Sequence, residues 1–250
     1  MQTIDDDTRK AIAPTGKLRV AIAVGTAISA VWTARSAETG KPVGPTVDLA
    51  EILAERTGLP LELVELGSSG KIIETANDGI WDVSFTPVDA ERKQAADFGP
   101  NHFLGISTYM VPAGSTLQHV DDVNREGIRA WGVENTATIR SARKAATNTT
   151  VQGAANLDEA VQKFTAGEID ALAIGKESIE SLLPQFPGSR MLEGHYHAAG
   201  TAVVVPHGHD KALEVFSVIM EELKADGTVQ RIFAKHGMPS ATVAPAGHYA

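Results

Sequence analysis

The stretch from Trp81 to Pro100 reads WDVSFTPVDAERKQAADFGP. Its first residues, Trp81–Phe85, predict a strand, and the polar residues after them predict a loop that presents Thr86, Asp89 and Arg92. Ligands of α/β sheets bind outside the carboxyl ends of strands, and a guanidinium there matches a carboxylate in bidentate fashion. The spacing alone favours a salt bridge between Asp89 and Arg92 on the surface of the loop, because such pairs are common there.

Strand-like runs alternate with helical patterns along the rest of the chain, which is typical of layered α/β proteins. The predicted strands, besides Trp81–Phe85, are Leu18–Val24, Leu61–Leu66, Ser107–Val111, Ile128–Val133, Thr149–Gln152, Ala171–Ile174 and Thr201–Val205. The predicted helices are Thr46–Thr57, Lys71–Asn77, Thr136–Ala146, Asn156–Ala166, Lys176–Leu183, Lys211–Lys224 and Thr228–His236. The alternation begins a second time at Ile128, which indicates two lobes, and the last residues are expected to be loose.

Composition excludes several classes of protein. Of 250 residues, 43% are hydrophobic and 21% charged, as in ordinary soluble globular proteins. There is no cysteine, so a disulfide scaffold, a cysteine nucleophile and thiolate metal sites are excluded. The net charge of −9 argues against nucleic acid as a partner. The first residues, with Asp5–Asp7 and no long apolar stretch, do not have the pattern of a secretory signal peptide.

Several segments together resemble the family 3 extracellular solute-binding proteins, the type II periplasmic binding proteins that deliver amino acids and related polar solutes to ABC transporters. They are GPTVDLA at Gly44–Ala50, the D-x-x-R-x-x-x-x-D-F run at Asp89–Phe98, the STYMVPAGSTL segment that begins at Ser107, and LKADGTVQRIFAKHG at Leu223–Gly237. The resemblance extends from about Gly16 to Pro245.

This resemblance implies an α/β, two-lobe periplasmic-binding-protein-like fold with two hinge crossovers and a ligand cleft between the lobes. Lobe one would be residues 1–107 plus 200–250, and lobe two residues 108–199. The expected partners are a small carboxylate or amino-acid-like ligand and an ABC permease, with no cofactor and a monomeric state. The expected location is periplasmic if a signal peptide was trimmed, and cytoplasmic if Met1 is native.

The resemblance also assigns ligand-binding roles. Arg92 lies where the family's arginine binds the ligand carboxylate. Thr136 lies at a helix N-terminus that the family uses, with Asn135 in place of the usual glycine, although Thr136 equally suits a plain helix cap. Trp32, in the loop after the first strand, would cover the ligand or simply pack in its loop. Ser69, which follows a strand and opens a helix, would face the ligand.

One departure from the family pattern concerns the ligand. In amino-acid binders a carboxylate follows the strand of lobe two and pairs with the ligand's ammonium group, but here Gly175 occupies that place, and Asp170 matches a structural position. Because an unpaired buried ammonium is costly, a ligand without an α-ammonium group is predicted to fit at least as well as an ordinary amino acid.

Two alternative functions are kept open, and a metal site is not predicted. A cyclohexadienyl-dehydratase-like enzyme would need a proton donor, for which Glu177 and Glu180 lie near the right helix but in no clear acid position. A cytoplasmic ligand sensor is the other alternative. A metal site is not predicted from the four histidines near the lobe boundary, because no carboxylate cluster accompanies them. These histidines are His195, His197, His207 and His209. No catalytic residue is predicted.

Overall fold

A computed structural model describes residues 4–25, 28–134 and 136–249. The chain divides into two compact units, one formed by Met1–Leu104 with Gly200–Ala250 and the other by Gly105–Ala199. The described strands are β1 (Leu18–Val24), β2 (Trp32–Arg35), β3 (Pro42–Val43), β4 (Leu61–Leu66), β5 (Val83–Pro87), β6 (Ala96–Val111), β7 (Ala130–Val133), β8 (Val151–Ala154), β9 (Ala171–Gly175), β10 (Arg190–Met191), β11 (His197–Pro206) and β12 (Thr242–Val243). The described helices are α1 (Asp6–Ile12), α2 (Pro45–Thr57), α3 (Ser69–Glu74), α4 (Ala137–Ala145), α5 (Leu157–Thr165), α6 (Lys176–Leu182), α7 (Asp210–Ala225) and α8 (Thr228–Lys235).

The first unit is organised around β1, which pairs in parallel with β2, β4 and β5. Strand β11 joins β5 in antiparallel fashion. One buried cluster collects the apolar residues of α2, α7 and α8, including Leu53, Phe216 and Phe233. A second cluster packs Ile72 of α3 and Trp81 near Ala21 and Val204. The sheet is therefore covered by helices on both faces, as the α/β pattern of the sequence predicts.

The second unit repeats this design on a smaller scale. Strand β7 pairs in parallel with β8 and β9, and β9 pairs in antiparallel fashion with β6. Ile139 of α4 belongs to one buried cluster, and Phe164 of α5 and Ile179 of α6 belong to another. None of the described helices is long and apolar enough to cross a membrane.

Local chemistry explains why several elements begin and end where predicted. Helix α2 starts with Pro45 and is followed by Gly58, which adopts a left-handed conformation with φ of 65°. A proline at the first helical position and a left-handed glycine after the last turn are strong helix boundaries. Asn156 accepts a hydrogen bond from the Glu159 backbone N–H at 2.9 Å and so caps α5.

Each unit also contains one arginine–aspartate pair with the same bonding pattern. Asp82 accepts hydrogen bonds from the backbone N–H, Nε and Nη2 of Arg19 at 2.9, 3.1 and 2.6 Å. Asp170 accepts from the same three groups of Arg129 at 2.9, 3.0 and 2.6 Å. Each pair joins neighbouring parallel strands, β1 to β5 in one unit and β7 to β9 in the other. Asp170 therefore has the structural position that the sequence indicated.

Three expectations about elements are corrected. Helix α1 was not predicted, yet Asp5 caps it by accepting from the Thr8 N–H at 2.7 Å. Strand β6 extends well before the predicted Ser107–Val111. The final residues are not loose, because β12 pairs with β6 and the carbonyl of His248 accepts from the N–H of Asn101 at 2.9 Å. In β6 and in the final residues, strand pairing supplies partners for backbone groups and overrides the local glycine and proline signals.

Candidate functional site

In the first unit, predicted site residues follow two of three neighbouring parallel strands. The strands β1, β4 and β5 run in the same direction, so their carboxyl ends meet at one edge of the sheet. Ser69 opens α3 shortly after β4 ends, and Asp89 and Arg92 follow β5. This edge is where open α/β sheets bind ligands.

Arg92 is held by neighbours on three sides. Its Nη1 donates to the carbonyl of Pro87 at 3.0 Å, and its Nη2 donates to Oγ of Ser69 at 3.1 Å. Asp89 accepts from the backbone N–H of Arg92 at 2.8 Å, and its second oxygen lies 3.4 Å from Nε. The arginine side chain is 20% exposed, whereas that of Asp89 is 56% exposed. The structure thus brings Ser69, Asp89 and Arg92 into direct contact.

Thr86, the residue before Pro87, is fully buried within β5. Its hydroxyl oxygen has no hydrogen-bond partner among the described residues. An unsatisfied buried hydroxyl costs on the order of 1–3 kcal/mol, so this atom is a candidate contact for a water molecule or a ligand.

Trp32 does not lie in a loop, as the sequence suggested, but begins β2 opposite Ala23 near the end of β1. Its indole covers Gly25, where an added Cβ would come within 2.8 Å of the ring carbon Cε3. The residue is 36% exposed, so one part of the ring is packed and another part is open to solvent. Its predicted contact with a ligand stays a prediction.

In the second unit, Thr136 caps α4. Its Oγ1 accepts from the backbone N–H of Ile139 at 3.2 Å and donates to the carbonyl of Val133 at 2.8 Å. The hydroxyl proton is therefore directed to Val133, and the groups that the helix offers to an anion are the first-turn N–H groups. Asn135, the neighbouring predicted site residue, lies outside the described residues.

Gly175 ends β9 and precedes α6, and Glu177 lies in the first turn of that helix. A Cβ added to Gly175 would make only ordinary contacts, the nearest at 3.8 Å from Oε2 of Glu177. Packing therefore does not require glycine here. Glu177 has one carboxylate oxygen that is buried and has no partner among the described residues. Burial raises the pKa of its carboxyl group above the ordinary value.

Glu177 was considered in the sequence only as an acid for an enzyme and was not chosen as a ligand-binding residue. Its position in the first turn after a strand was visible in the sequence. The burial of its carboxylate was not visible in the sequence, because desolvation depends on which side chains pack around the carboxylate.

The four histidines have separate surroundings. Nδ1 of His207 lies 2.7 Å from Oδ1 of Asp97. Hydrogen bonds with the Gln94 backbone and with Asp97 raise the pKa of His207. His195 is exposed. Within residues 4–25, 28–134 and 136–249, no three side chains of the metal-binding types are grouped so that they could hold an ion.

An arginine presented beside strand ends, in a chain of two successive α/β units, is typical of proteins that bind small solutes. The chain belongs to the bacterial extracellular solute-binding proteins of family 3, whose model matches residues 22–239. A probable histidine-binding protein of Campylobacter jejuni is 24% identical over 207 residues, which are 80% of this chain and 78% of that protein.

Solved structures share the fold. The L-cystine solute receptor of Neisseria gonorrhoeae, in its unliganded open conformation, matches with a TM-score of 0.73 at 19% identity, over 92% of this chain and 96% of that one. An ancestral cyclohexadienyl dehydratase matches with a TM-score of 0.64 at 20% identity, over 90% and 93%. The family resemblance and the predicted α/β fold of the two-lobe periplasmic binding proteins are confirmed.

Proposed function

We propose that this chain is the solute-binding component of an ABC transporter, acting outside the cytoplasm, and that it captures a small molecule bearing a carboxylate. The description of the family as extracellular solute-binding proteins supports solute capture outside the cytoplasm. The relatives named above bear the names of histidine and L-cystine, both α-amino acids, which favours this class of ligand. The observation that carries the proposal is the way Arg92 is held.

Arg92 has hydrogen-bonding capacity to spare. A guanidinium has five N–H groups in a planar fork. The contacts with Pro87 and Ser69 use one N–H on each terminal nitrogen, and Asp89 lies near Nε. Each terminal nitrogen therefore keeps a second N–H, and a carboxylate can accept two guanidinium N–H groups in bidentate fashion. The neighbours fix the direction of the fork, so less conformational entropy is lost when the ligand binds.

Glu177 bears on whether the ligand also carries an ammonium group. Gly175, considered alone, predicts a ligand without an ammonium group. Glu177, two residues later, supplies a carboxylate oxygen that has no described partner. A cation beside this carboxylate would offset the desolvation that raises its pKa. We therefore include compounds with an ammonium group, α-amino acids among them, in the proposed ligand class.

The test is a thermal-shift and titration-calorimetry screen of protein refolded from denaturant, so that ligand from the cell is removed. The panel contains L-histidine, L-cystine, L-arginine and carboxylates without an amino group. A ligand at 100 times its Kd stabilises the fold by about 2.7 kcal/mol, which raises Tm by about 5–10 °C for a chain of this length. Arg92→Ala should weaken a hit at least about 100-fold, since two charge-assisted hydrogen bonds are lost.

The matched control is Arg125→Ala. Arg125 also pairs with an aspartate three residues away, Asp122, but is 64% exposed. Its removal should leave the affinity unchanged. A ligand that binds Arg92→Ala as tightly as the natural chain refutes the anion-binding role. Glu177→Gln should weaken the binding of compounds with an ammonium group and leave that of plain carboxylates unaffected, and the same loss for both would refute a role of Glu177 in binding ammonium groups.

An enzyme is the second candidate, favoured by one observation. The raised pKa of Glu177 keeps its carboxyl group protonated at higher pH than usual, as a general acid requires. The fold also matches that of the ancestral cyclohexadienyl dehydratase. Incubation of the ligand-free protein with a prephenate-type substrate tests this candidate, since turnover that Glu177→Gln abolishes would support it and absence of product would exclude that reaction.

A further inference from the structure

A cavity of about 410 Å³ lies within the Gly105–Ala199 unit, and none of the predicted site residues is among its described lining residues. Its lining consists of Tyr109, Val120, Asp121, Asn124, Ala145, Ala146, His195 and Tyr196. The volume falls within the range of small-molecule sites in proteins. Nothing in the proposed transport function uses these residues.

Two tyrosines form the aromatic part of this cavity. The rings of Tyr109 and Tyr196 lie 4.7 Å apart, measured between centroids, and are tilted by 50° to each other. Tyr109 is only 2% exposed, so its ring is held firmly by the core of the unit. Val120 and the alanines at the end of α4 add apolar surface. An angled pair of electron-rich rings is the kind of surface on which organic cations bind.

The charge of the lining favours a cation as well. Asp121 is exposed at the cavity, and its carboxylate makes no hydrogen bond or ion pair with any described residue. No lysine or arginine is among the described residues that line the cavity. Asn124 is already engaged, because its side chain donates to Thr147 Oγ1 at 3.0 Å and accepts from the Asn148 N–H at 2.6 Å.

The hydroxyl of Tyr196 supplies a third feature. Its oxygen is buried and has no partner in the part of the chain that the structure describes. Burial raises the pKa of Tyr109 to about 12 and that of Tyr196 further, so both phenols stay neutral. A neutral phenol oxygen accepts a hydrogen bond from an ammonium N–H.

We propose that this cavity is a second binding site that takes a primary ammonium compound with a small apolar or aromatic body. The ammonium group would pair with Asp121 and donate to Tyr196, and the body would lie against the two aromatic rings. The proposal is independent of the carboxylate site at Arg92.

The experiment titrates the full chain with 2-phenylethylammonium as the probe and measures binding by two-dimensional amide NMR. Saturable shifts are expected in the segment Val120–Asn124 and at Tyr196. Asp121→Asn should raise the Kd about five- to tenfold, and Tyr196→Phe, which retains the ring, should raise it at least about threefold. The neutral analogue 2-phenylethanol should bind at least about fivefold more weakly than the probe.

Two control variants show whether the effect is specific to the cavity. Asp158→Asn, at another exposed aspartate of the same unit, should leave the Kd unchanged. Arg92→Ala should also leave it unchanged, so failure of the carboxylate proposal would not affect this one. Absence of saturable shifts, equal affinity for 2-phenylethanol, or a loss of binding in Glu177→Gln but not in Asp121→Asn would overturn the proposal.

Discussion

Replacement of Asp82 by asparagine tests how burial determines the strength of an ion pair. Among the arginine–aspartate pairs of this chain, Arg19–Asp82 and Arg129–Asp170 each have three hydrogen bonds, with nearly equal distances in the two pairs. They differ in burial, since the side chain of Asp82 is 3% exposed and that of Asp170 is 31% exposed. Their arginines follow the same order, with Arg19 at 16% and Arg129 at 51%.

The expected effects follow from this difference. Breaking a buried pair typically costs about 3–5 kcal/mol, because the remaining charge is left without a partner. Arg19 keeps some exposure and its bond to the carbonyl of Gly79 at 2.5 Å, so we expect about 3 kcal/mol for Asp82→Asn. The exposed pair is worth about 1 kcal/mol or less, and Asp170→Asn should lower the unfolding free energy by that amount.

Urea unfolding at pH 7 measures both variants. Tryptophan fluorescence reports on both units, because Trp32 and Trp81 belong to one and Trp131 to the other. The natural chain and both variants should have similar slopes, so that the shift in midpoint gives the change in free energy. Equal losses for the two substitutions, or a larger loss for Asp170→Asn, would refute the argument from burial.

Three further predictions concern stability. His102 is fully buried, and desolvation with the nearby charge of Lys224 lowers its pKa to about 3, below the value near 6.5 of the unfolded chain. The stabilisation by neutral His102 is therefore complete above pH 6.5 and is lost as the pH falls toward 3, by about 2–3 kcal/mol at pH 4.5. The urea unfolding midpoints at pH 7 and pH 4.5 should therefore differ less for His102→Phe than for the natural chain. Gly153→Ala places a Cβ within 1.7 Å of Oε1 of Glu134, so the glutamate must move. The free energy of unfolding, measured by calorimetry, should fall by about 1 kcal/mol. Gly67→Ala, with open space around the added Cβ, should leave it unchanged. Thr136→Ala removes the cap of α4 and should cost about 1 kcal/mol, with Thr136→Ser close to neutral; an unchanged Tm for the alanine variant would contradict the capping role.

Local sequence signals predicted the bounds of an element correctly wherever neighbouring residues mark its ends. Strands β1 and β4 have the predicted bounds, because each is a short apolar or alternating run between polar or turn-forming residues. Helix α2 differs from its prediction only in starting at Pro45. Such elements depend on residues within a few positions of one another, and these are visible in the sequence.

Elements that depend on distant partners were missed or shortened. Strand β6 contains Gly99, Pro100 and Gly105, which locally disfavour a long strand. The strand nevertheless begins at Ala96, and its missed part pairs with β12 at Phe103 and Leu104, whereas β9 and β10 pair with the predicted part, Ser107–Val111. The sequence does not show these partners, since they come from positions far along the chain.

The sequence by itself determined the α/β class, the family and the loop that carries Arg92, because these rest on periodicity and on motifs of adjacent residues. Only the tertiary structure decided that Ser69 orients that arginine, that Glu177 has a buried oxygen without a partner, and that two tyrosines line a separate cavity. Each of these facts depends on which side chains meet in space and how much water they exclude. Hydrogen bonds and desolvation are properties of that packing, so residue order alone does not contain them.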